Sequence, residues 1–531
     1  MNSTIDRKNG LILWVLLVLL IAPSSESAFA QASLFSHEAI FLRSLELQGA
    51  LDRPFLGYRS LDDETWDHTG LISGNLLRYP LPSISEIGAF DFELYPADWY
   101  ASYNSAYPHG MNDGALWQGV GFNTTFSGGF RLQVRNLSLT FKPQLLFMGN
   151  QDFDIMPTAY PDSDGFGYFR GGQDLNQRPG PDSIYDWSWG DSELRFNWKN
   201  ATIGFGTQAV WLGPGLSNAI ILTNNAPPFP KLDFGMRKTE TLIGEVEARA
   251  FWGRMTESDW FNDDEGDDYT LLTGLSVAWS PVFFPELTLG FYRTMLSAWT
   301  DQDWDGMLEI LVPLMDVSMG LDRRDQRASV SAELLFTEVG LRVWFEWARN
   351  DHNKWFVSVI RYPFHSQAYT LGMEKHWTLP DPRFELLMQG EIANTESSRD
   401  YFTAGYSFYG HHIVIHGHTN EGQIIGAGIG TGGNFQRLAF SLLHPLGSTT
   451  AYMERRNRDN DYVYYTTLDP HTFNTELSFG LDTVWPVEDW AIAQLGVAWN
   501  NNHNPLYNPS NGFSSTIINS LFISVGLKLI Q

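Results

Sequence analysis

The residues that could first be asked to do chemistry are histidines. His411, His412, His416 and His418 stand close together. On an extended strand His412, His416 and His418 would share one face and Ile413 and Ile415 the other, and neighbours two apart can share a metal ion. No carboxylate at a fitting spacing completes a ligand set, so these read as polar groups lining an interior. The chain has no cysteine, which removes disulfides, thiolate metal sites, a Cys nucleophile and a lipid anchor on cysteine. Asp263, Asp264, Glu265, Asp267 and Asp268 offer oxygen ligands but lack the spaced order of an EF-hand, and they read as a solvated loop. Trp260, Trp299 and Trp304 stand near acids, with Asp301 and Asp303 between the last two. An indole face suits the apolar side of a sugar ring and carboxylates suit its hydroxyls; the same tryptophans equally suit a membrane girdle. No His-Glu-x-x-His, Gly-x-Ser-x-Gly or phosphate-binding glycine loop occurs. Carboxylates are too numerous for their count to decide on paired-acid chemistry. The reading is a non-enzyme, with no catalytic residue, metal site or cofactor assigned.

The elements that must carry these residues are strands. Of 531 residues 15% are aromatic and only 18% charged, a balance that fits aromatic girdles at two membrane interfaces better than a soluble core. The net charge of −27 argues against a nucleic-acid partner. Residues 1–30 read as a signal peptide: Arg7 and Lys8, an apolar core from Leu11 to Ala22, and Ala28-Phe29-Ala30 at the cleavage point. Later segments alternate with period two. Arg327, Ser329, Ser331 and Glu333 oppose Ala328, Val330, Ala332 and Leu334; Arg342, Trp344 and Glu346 oppose Leu341, Val343, Phe345 and Trp347. Glu245, Glu247 and Arg249 oppose Val246, Ala248 and Ala250. Charges are costly against lipid, about 2–4 kcal/mol for Arg or Lys at the midplane, so they should face a wet lumen. About 18 such segments follow residue 115, most of membrane-crossing length. No repeat of propeller length is found. Long polar stretches (149–191, 260–268, 298–307, 454–465 and 499–515) alternate with tight turns such as Lys199-Asn200, as outer-membrane barrels require.

Ahead of the strands, Ser36 to Leu51 reads as a helix and residues 52–100 as a connector broken by Pro80, Pro82 and Pro96. Within the strand region, Trp211 to Pro230 breaks every rule for a strand. Gly213, Pro214 and Gly215 force a turn, Asn224 and Asn225 bond or bend the backbone, and Pro227, Pro228 and Pro230 remove ladder donors. So much turn chemistry builds a shaped loop. Earlier, Asn112-Asp113-Gly114 reads as a turn, after which Trp117 begins a strand carrying Gly119 and Gly121, where another backbone can approach closely.

Both passages, Trp211–Pro230 and Tyr103–Gly129, closely resemble signatures of the capsule assembly Wzi family. The resemblance implies an all-β transmembrane protein: an outer-membrane antiparallel β-barrel with a small N-terminal periplasmic helical segment. The expected divisions are a signal peptide at 1–30, a periplasmic helical and connector segment at 31–102 and the barrel at 103–531. By the resemblance the protein would bind capsular or exopolysaccharide non-covalently and help assemble or retain it at the cell surface. Trp260, Trp299, Trp304, Asp301 and Asp303 would be the polysaccharide-binding candidates. Trp211, Gly213, Pro214, Gly215, Asn224, Asn225, Pro227 and Pro230 would shape a lumen loop. Expected partners are the polysaccharide, outer-membrane lipids and the barrel assembly machinery. The alternative is an outer-membrane channel for saccharides or other small solutes, and a blocked lumen would separate the two.

Overall fold

A computed structural model of the protein describes residues 37–60, 90–159, 164–301, 307–311, 324–350, 364, 366–397, 407–469, 471–487, 490–508 and 516–529. The signal-peptide reading at 1–30 lies outside them. The wall is a closed antiparallel barrel. Its strands are Phe90–Asn104, Gly121–Val134, Leu137–Phe141 with Gln144–Met148, Ile184–Ser188 with Glu193–Trp198, Ala201–Gly206, Lys231–Thr241, Gly244–Thr256, Tyr269–Pro281, Leu287–Ala298, Arg324–Phe336, Leu341–Asn350, Gln367–Thr378, Glu385–Asn394, Asn434–His444, Gly447–Asn457, Thr475–Val487, Ala491–His503 and Ile517–Leu529. Gly121–Val134 pairs with both halves of the next stave, and those halves pair with the two halves of the one after. Each interrupted pair is therefore one stave, and the wall has 18. The interruption has a chemical cause. Pro143 has no N–H to give the ladder, and Gly190 opposite takes φ +55° and bridges Lys142.

The first strand closes the barrel against the last, with Trp99 opposite Leu527 and Ala101 opposite Val525. The wall thus begins at Phe90, ahead of the boundary at 103 expected from the sequence. Pro96, read there as a break, sits where the register shifts between Tyr95 and Asp98. A bulge spares the missing donor and lets the strand continue. Trp117 to Val120, by contrast, remain loop, and the second strand starts at Gly121.

Alternation decides what faces where. Arg327, Ser329 and Glu333 are buried inward, while Val330 between them is 48% exposed outward. Arg342, Trp344 and Glu346 are buried, while Phe345 is exposed. Phe122, Phe126, Phe205, Leu371, Phe440 and Trp499 extend the outward apolar belt around the wall. This face is the one that meets lipid.

Tight connections such as 135–136, 199–200, 242–243 and 445–446 gather at one rim, and the long ones, including 105–120, 207–230 and 257–268, at the other. An even strand count puts both ends of the wall at the tight-turn rim, the periplasmic one by the barrel rule. The helix His37–Leu47 lies at that rim and ends at Gly49, which takes φ +68°. Ile40, Phe41 and Leu47 pack on Leu387, Leu443, Val484 and Ile492. Arg43 adds an ion pair to Glu374 at 3.0 Å.

Val330 stands at the middle of its strand on the lipid face. Val330→Arg should lower barrel stability by about 2–4 kcal/mol, with Val330→Leu near neutral, as read by denaturant titration of the protein refolded into lipid vesicles.

Candidate functional site

The interior is filled from three directions. Tyr58–Ser60, just after the helix, enters the lumen and pairs antiparallel with Val210–Leu212, Arg59 opposite Trp211. The connection 207–230 folds inward behind that ribbon, and the connection ending at Asn434 packs on it through Phe408, Tyr409, Val414, Ile424, Ile425 and Ile429. Together with Leu212, Ile220, Ile221 and Leu222 these make an apolar core inside the barrel. It rests on the inner faces of the strands that carry Phe251, Leu272, Tyr292, Leu296, Ala348, Ala368 and Phe435.

Within 207–230 the unusual residues act through the backbone. Trp211 is buried and its Nε1 donates to Gly215 O at 3.0 Å, closing the turn around Pro214. Gly213 takes φ +111°, and a Cβ there would press on the Glu346 carboxylate at 2.9 Å. Gly215 does not need positive φ; a Cβ would instead meet Asn218 O at 2.8 Å. Asn224 and Asn225 work through bonds. Asn224 O accepts from Gly114 N at 2.9 Å, Asn225 Oδ1 accepts from Asn112 N at 3.2 Å, and Asn225 Nδ2 donates to Ile424 O at 2.9 Å. Pro227 O accepts from Asn420 Nδ2, and Pro230 O from Arg254 N, both at 3.0 Å. The two sequence passages with special turn chemistry therefore touch one another, through Asn112 and Gly114 on one side and Asn224 and Asn225 on the other.

The wall holds this plug with charges. Glu247 Oε2 accepts the amides of Leu56, Gly57 and Tyr58 at 3.0, 2.8 and 3.0 Å. Glu391 accepts from Leu216 N, from Ser217 N at 3.1 Å and from Asn218 Nδ2 at 3.2 Å. Glu346 accepts Ile220 N at 3.2 Å. Wall cations take plug carbonyls: Arg327 Nε donates to Phe408 O at 2.9 Å, and Lys231 Nζ to Gln208 O. Below, Arg53 and Arg342 share Glu333, and Arg43 and Arg342 share Glu374. Most of the strand charges expected in a wet lumen are instead buried and bonded to folded-in backbone or to one another. The role of Glu247, Glu346 and Glu391 was not visible in the sequence because their partners are backbone amides, which almost any residue supplies. The signal was there as single acids on the inner face of otherwise small or apolar strands.

The histidines belong to the plug and form bends, not the strand expected. Gly417 at φ +71° turns the chain, and His411 Nδ1 accepts from Val414 N at 3.0 Å. His418 stacks on Tyr409 and its Nε2 meets Ile221 O at 2.8 Å. His416 Nδ1 meets Thr270 Oγ1 at 2.9 Å, and burial pushes its pKa down to about 4. Among the described residues no group of three His, Asp or Glu stands close enough to hold a metal ion. The acidic run makes turns of its own, with Asn262 Oδ1 accepting Asp264 N and Asp264 Oδ1 accepting Gly266 N.

The sugar-binding candidates are not assembled into one cluster. Trp260 packs edge-on against Phe166, ring centres 5.1 Å apart, over Gly180, where a Cβ would overlap its ring. Trp299 lies in a short 3-10 turn, Trp299–Asp301, on another connection and is 44% exposed. Asp303 and Trp304 lie outside the described residues, as does the side chain of Asp301. A different aromatic group crowns the long-loop rim. Arg170 bonds Asp459, lies 3.8 Å from Asp461 and stacks on Tyr462 at 4.6 Å. Burial lifts Asp459 to about 6 against the pull of Arg170. Asn460–Thr467 is a helix that leaves Tyr464 and Tyr465 exposed, where the sequence suggested only a polar loop. The Tyr-Val-Tyr-Tyr run after Asp459 was the available signal.

The family model described as capsule assembly protein Wzi matches residues 167–513. Among solved structures the chain is similar to Wzi of Escherichia coli, described as an outer membrane protein involved in group 1 capsule assembly and a carbohydrate binding beta-barrel. That similarity is 13% identity over 81% of this chain and 84% of that one, at a TM-score of 0.55. OccAB2 of Acinetobacter baumannii (10% identity, 84% and 100% covered, TM-score 0.40) and OccD3 of Pseudomonas aeruginosa (10%, 82% and 92%, 0.39) are more distant. Direct comparison with curated proteins finds no match.

Removing one wall acceptor strands several plug donors. Glu391→Ala should cost about 1–3 kcal/mol for each donor left unpaired and raise hydrogen exchange at Leu216 and Ser217 well above that at the strand amides. His416 should remain neutral on acidification to pH 5 and take its proton only near pH 4, whereas a solvated imidazole titrates at about 6.5; NMR of ring-labelled histidine reads both.

Proposed function

The chain belongs to the capsule assembly protein Wzi family, and we propose that it binds capsular or exopolysaccharide non-covalently at the cell surface and helps assemble or retain it there. It is a bacterial outer-membrane β-barrel. The observation that carries the reading is the filled interior. A solute channel needs a lumen, whereas here two long connections and the N-terminal ribbon occupy it and are bonded to the wall. A barrel so filled presents its outer loops as a surface.

That surface has what glycan contact requires: exposed aromatic faces at Tyr464, Tyr465 and Trp299, with carboxylates near the same loops. Aromatic faces cover the carbon side of a sugar ring, and polar neighbours take its hydroxyls. Trp260 supports the loop through Phe166 and Gly180. The lumen-loop residues from Trp211 to Pro230 shape the plug and perform no chemistry on a substrate. The activity is binding without turnover. Lipids of the outer membrane cover the apolar belt, and the barrel assembly machinery inserts the chain.

In planar bilayers the purified barrel should give little or no steady current. Cells lacking the protein should shed polysaccharide into the medium and regain it on the surface when the parent gene is returned. Tyr464→Ala with Tyr465→Ala should reduce the surface-bound fraction several-fold while leaving folding intact. Large, stable single-channel openings together with unchanged retention would select the channel reading.

A further inference from the structure

The apolar plug leans on one half of the wall. Against the other half lies a chamber of about 380 Å³, within the roughly 300–1,000 Å³ of small-ligand sites. Its walls include Tyr100, Tyr452, Asp482 and Gln494 on four strands, with Asn112 and Gln118 from the connection 105–120 and Asn224 and Pro228 from the plug. The lining extends to Val484, Ile492 and Lys528, close to the tight-turn rim.

The chamber exists because of a sequence device. Gly480, Gly496 and Gly526 lie on the inner face of three consecutive strands, and each is overlain by a neighbour: Tyr452 over Gly480, Asp482 and Ser524 over Gly496, Gln494 over Gly526. A Cβ at any of them would collide with that neighbour. The glycines let long polar side chains lie along the wall instead of projecting across the lumen. Arg437 then stacks on the Tyr452 ring at 4.0 Å and is held by Glu454 at 2.8 Å.

The inner-wall charges described above are tied to partners. Here one carboxylate and two neutral polar groups are left over. Among the described residues the Asp482 carboxylate and the Gln494 amide make no hydrogen bond to protein, and Thr125 Oγ1, also on the chamber wall, is buried without a partner. A carboxylate acceptor, an amide that donates and accepts, and a hydroxyl thus face one space, beside the Tyr100 phenol, whose oxygen accepts from Gln118 Nε2 at 3.2 Å.

Resting on the polysaccharide reading above, we propose that this chamber is a second, lumenal glycan site that takes a short saccharide rather than the polymer, with Asp482, Gln494 and Tyr100 contacting its hydroxyls. Closely spaced hydroxyls, each donor and acceptor, match that set, and an unmet buried polar group favours a ligand that meets it. Gly480, Gly496 and Gly526 are positioning residues that keep the space open.

The chain has no cysteine, so Gln144→Cys, on the chamber wall, gives a single thiol for an environment-sensitive dye. The probe is a set of oligosaccharides from partial acid hydrolysis of the host strain's own surface polysaccharide, added to the labelled full-length protein in detergent. A saturable dye shift is expected, with apparent affinity weakened tenfold or more by Asp482→Asn and by Tyr100→Phe, while heat-modifiable gel mobility shows that each variant folds. No saturable shift, or a shift that neither substitution weakens, overturns the chamber site. Binding of intact polysaccharide to immobilised protein is measured in parallel. If the polymer binds and the chamber stays silent, only the lumenal site fails; if neither binds, the polysaccharide reading fails with it.

Discussion

A carboxylate buried on the inner wall of this barrel is tolerable only where a partner reaches it, and at Glu247, Glu346 and Glu391 that partner is plug backbone. Glu247, Glu346 and Glu391 are each almost fully buried, and an ion taken out of water without partners costs several kcal/mol. The plug has the complementary need. Its segments are irregular, so their amides lack the ladder a helix or strand would supply, and buried backbone groups must be paired somewhere. One carboxylate answering three successive amides, as Glu247 does at Leu56, Gly57 and Tyr58, meets both needs at once. Wall and plug are each unsatisfactory alone.

The same logic sorts the rest of the interior. Where the wall offers apolar inner faces, the plug offers Ile220, Ile221, Leu222 and Tyr409. Where the wall offers an arginine the plug offers a carbonyl, as in Arg327 to Phe408 O, and where the wall offers an acid the helix offers an arginine, as in Glu374 to Arg43. Charge-assisted bonds of this kind are the stronger ones, and they are directional in a way that apolar contact is not. They fix the register of folded-in loops that have no regular structure to fix it.

Much of this was legible in the sequence. Period-two alternation at Arg327–Leu334 and Leu341–Trp347 named the two faces, because a strand can place side chains in no other way. Turn chemistry marked Trp211–Pro230 as a shaped loop. What was not legible depended on partners far along the chain. Pro96 reads as a break until the opposing strand shows a bulge. His412, His416 and His418 alternate on paper, but Gly417 at φ +71° turns the backbone so that they never form a strand. Gly215 looks like a positive-φ glycine, and only the carbonyl of Asn218 reveals that it is there for space. The tryptophans near acids could be picked out, yet nothing local told that Trp260 would be spent on packing against Phe166. The exposed tyrosines of the helix Asn460–Thr467 were hidden in a stretch whose composition said loop.

The pairing of Phe90–Asn104 with Ile517–Leu529 joins the two ends of the wall across nearly its whole sequence. The ribbon Tyr58–Ser60 lies inside that ring, upstream of the first stave. The ring and its contents are therefore closed by two separate pairings, one between the wall's ends and one between the early ribbon and Val210–Leu212. The two closures are coupled energetically, since a ring sealed around an empty interior would leave Glu247, Glu346 and Glu391 with no amide to bind.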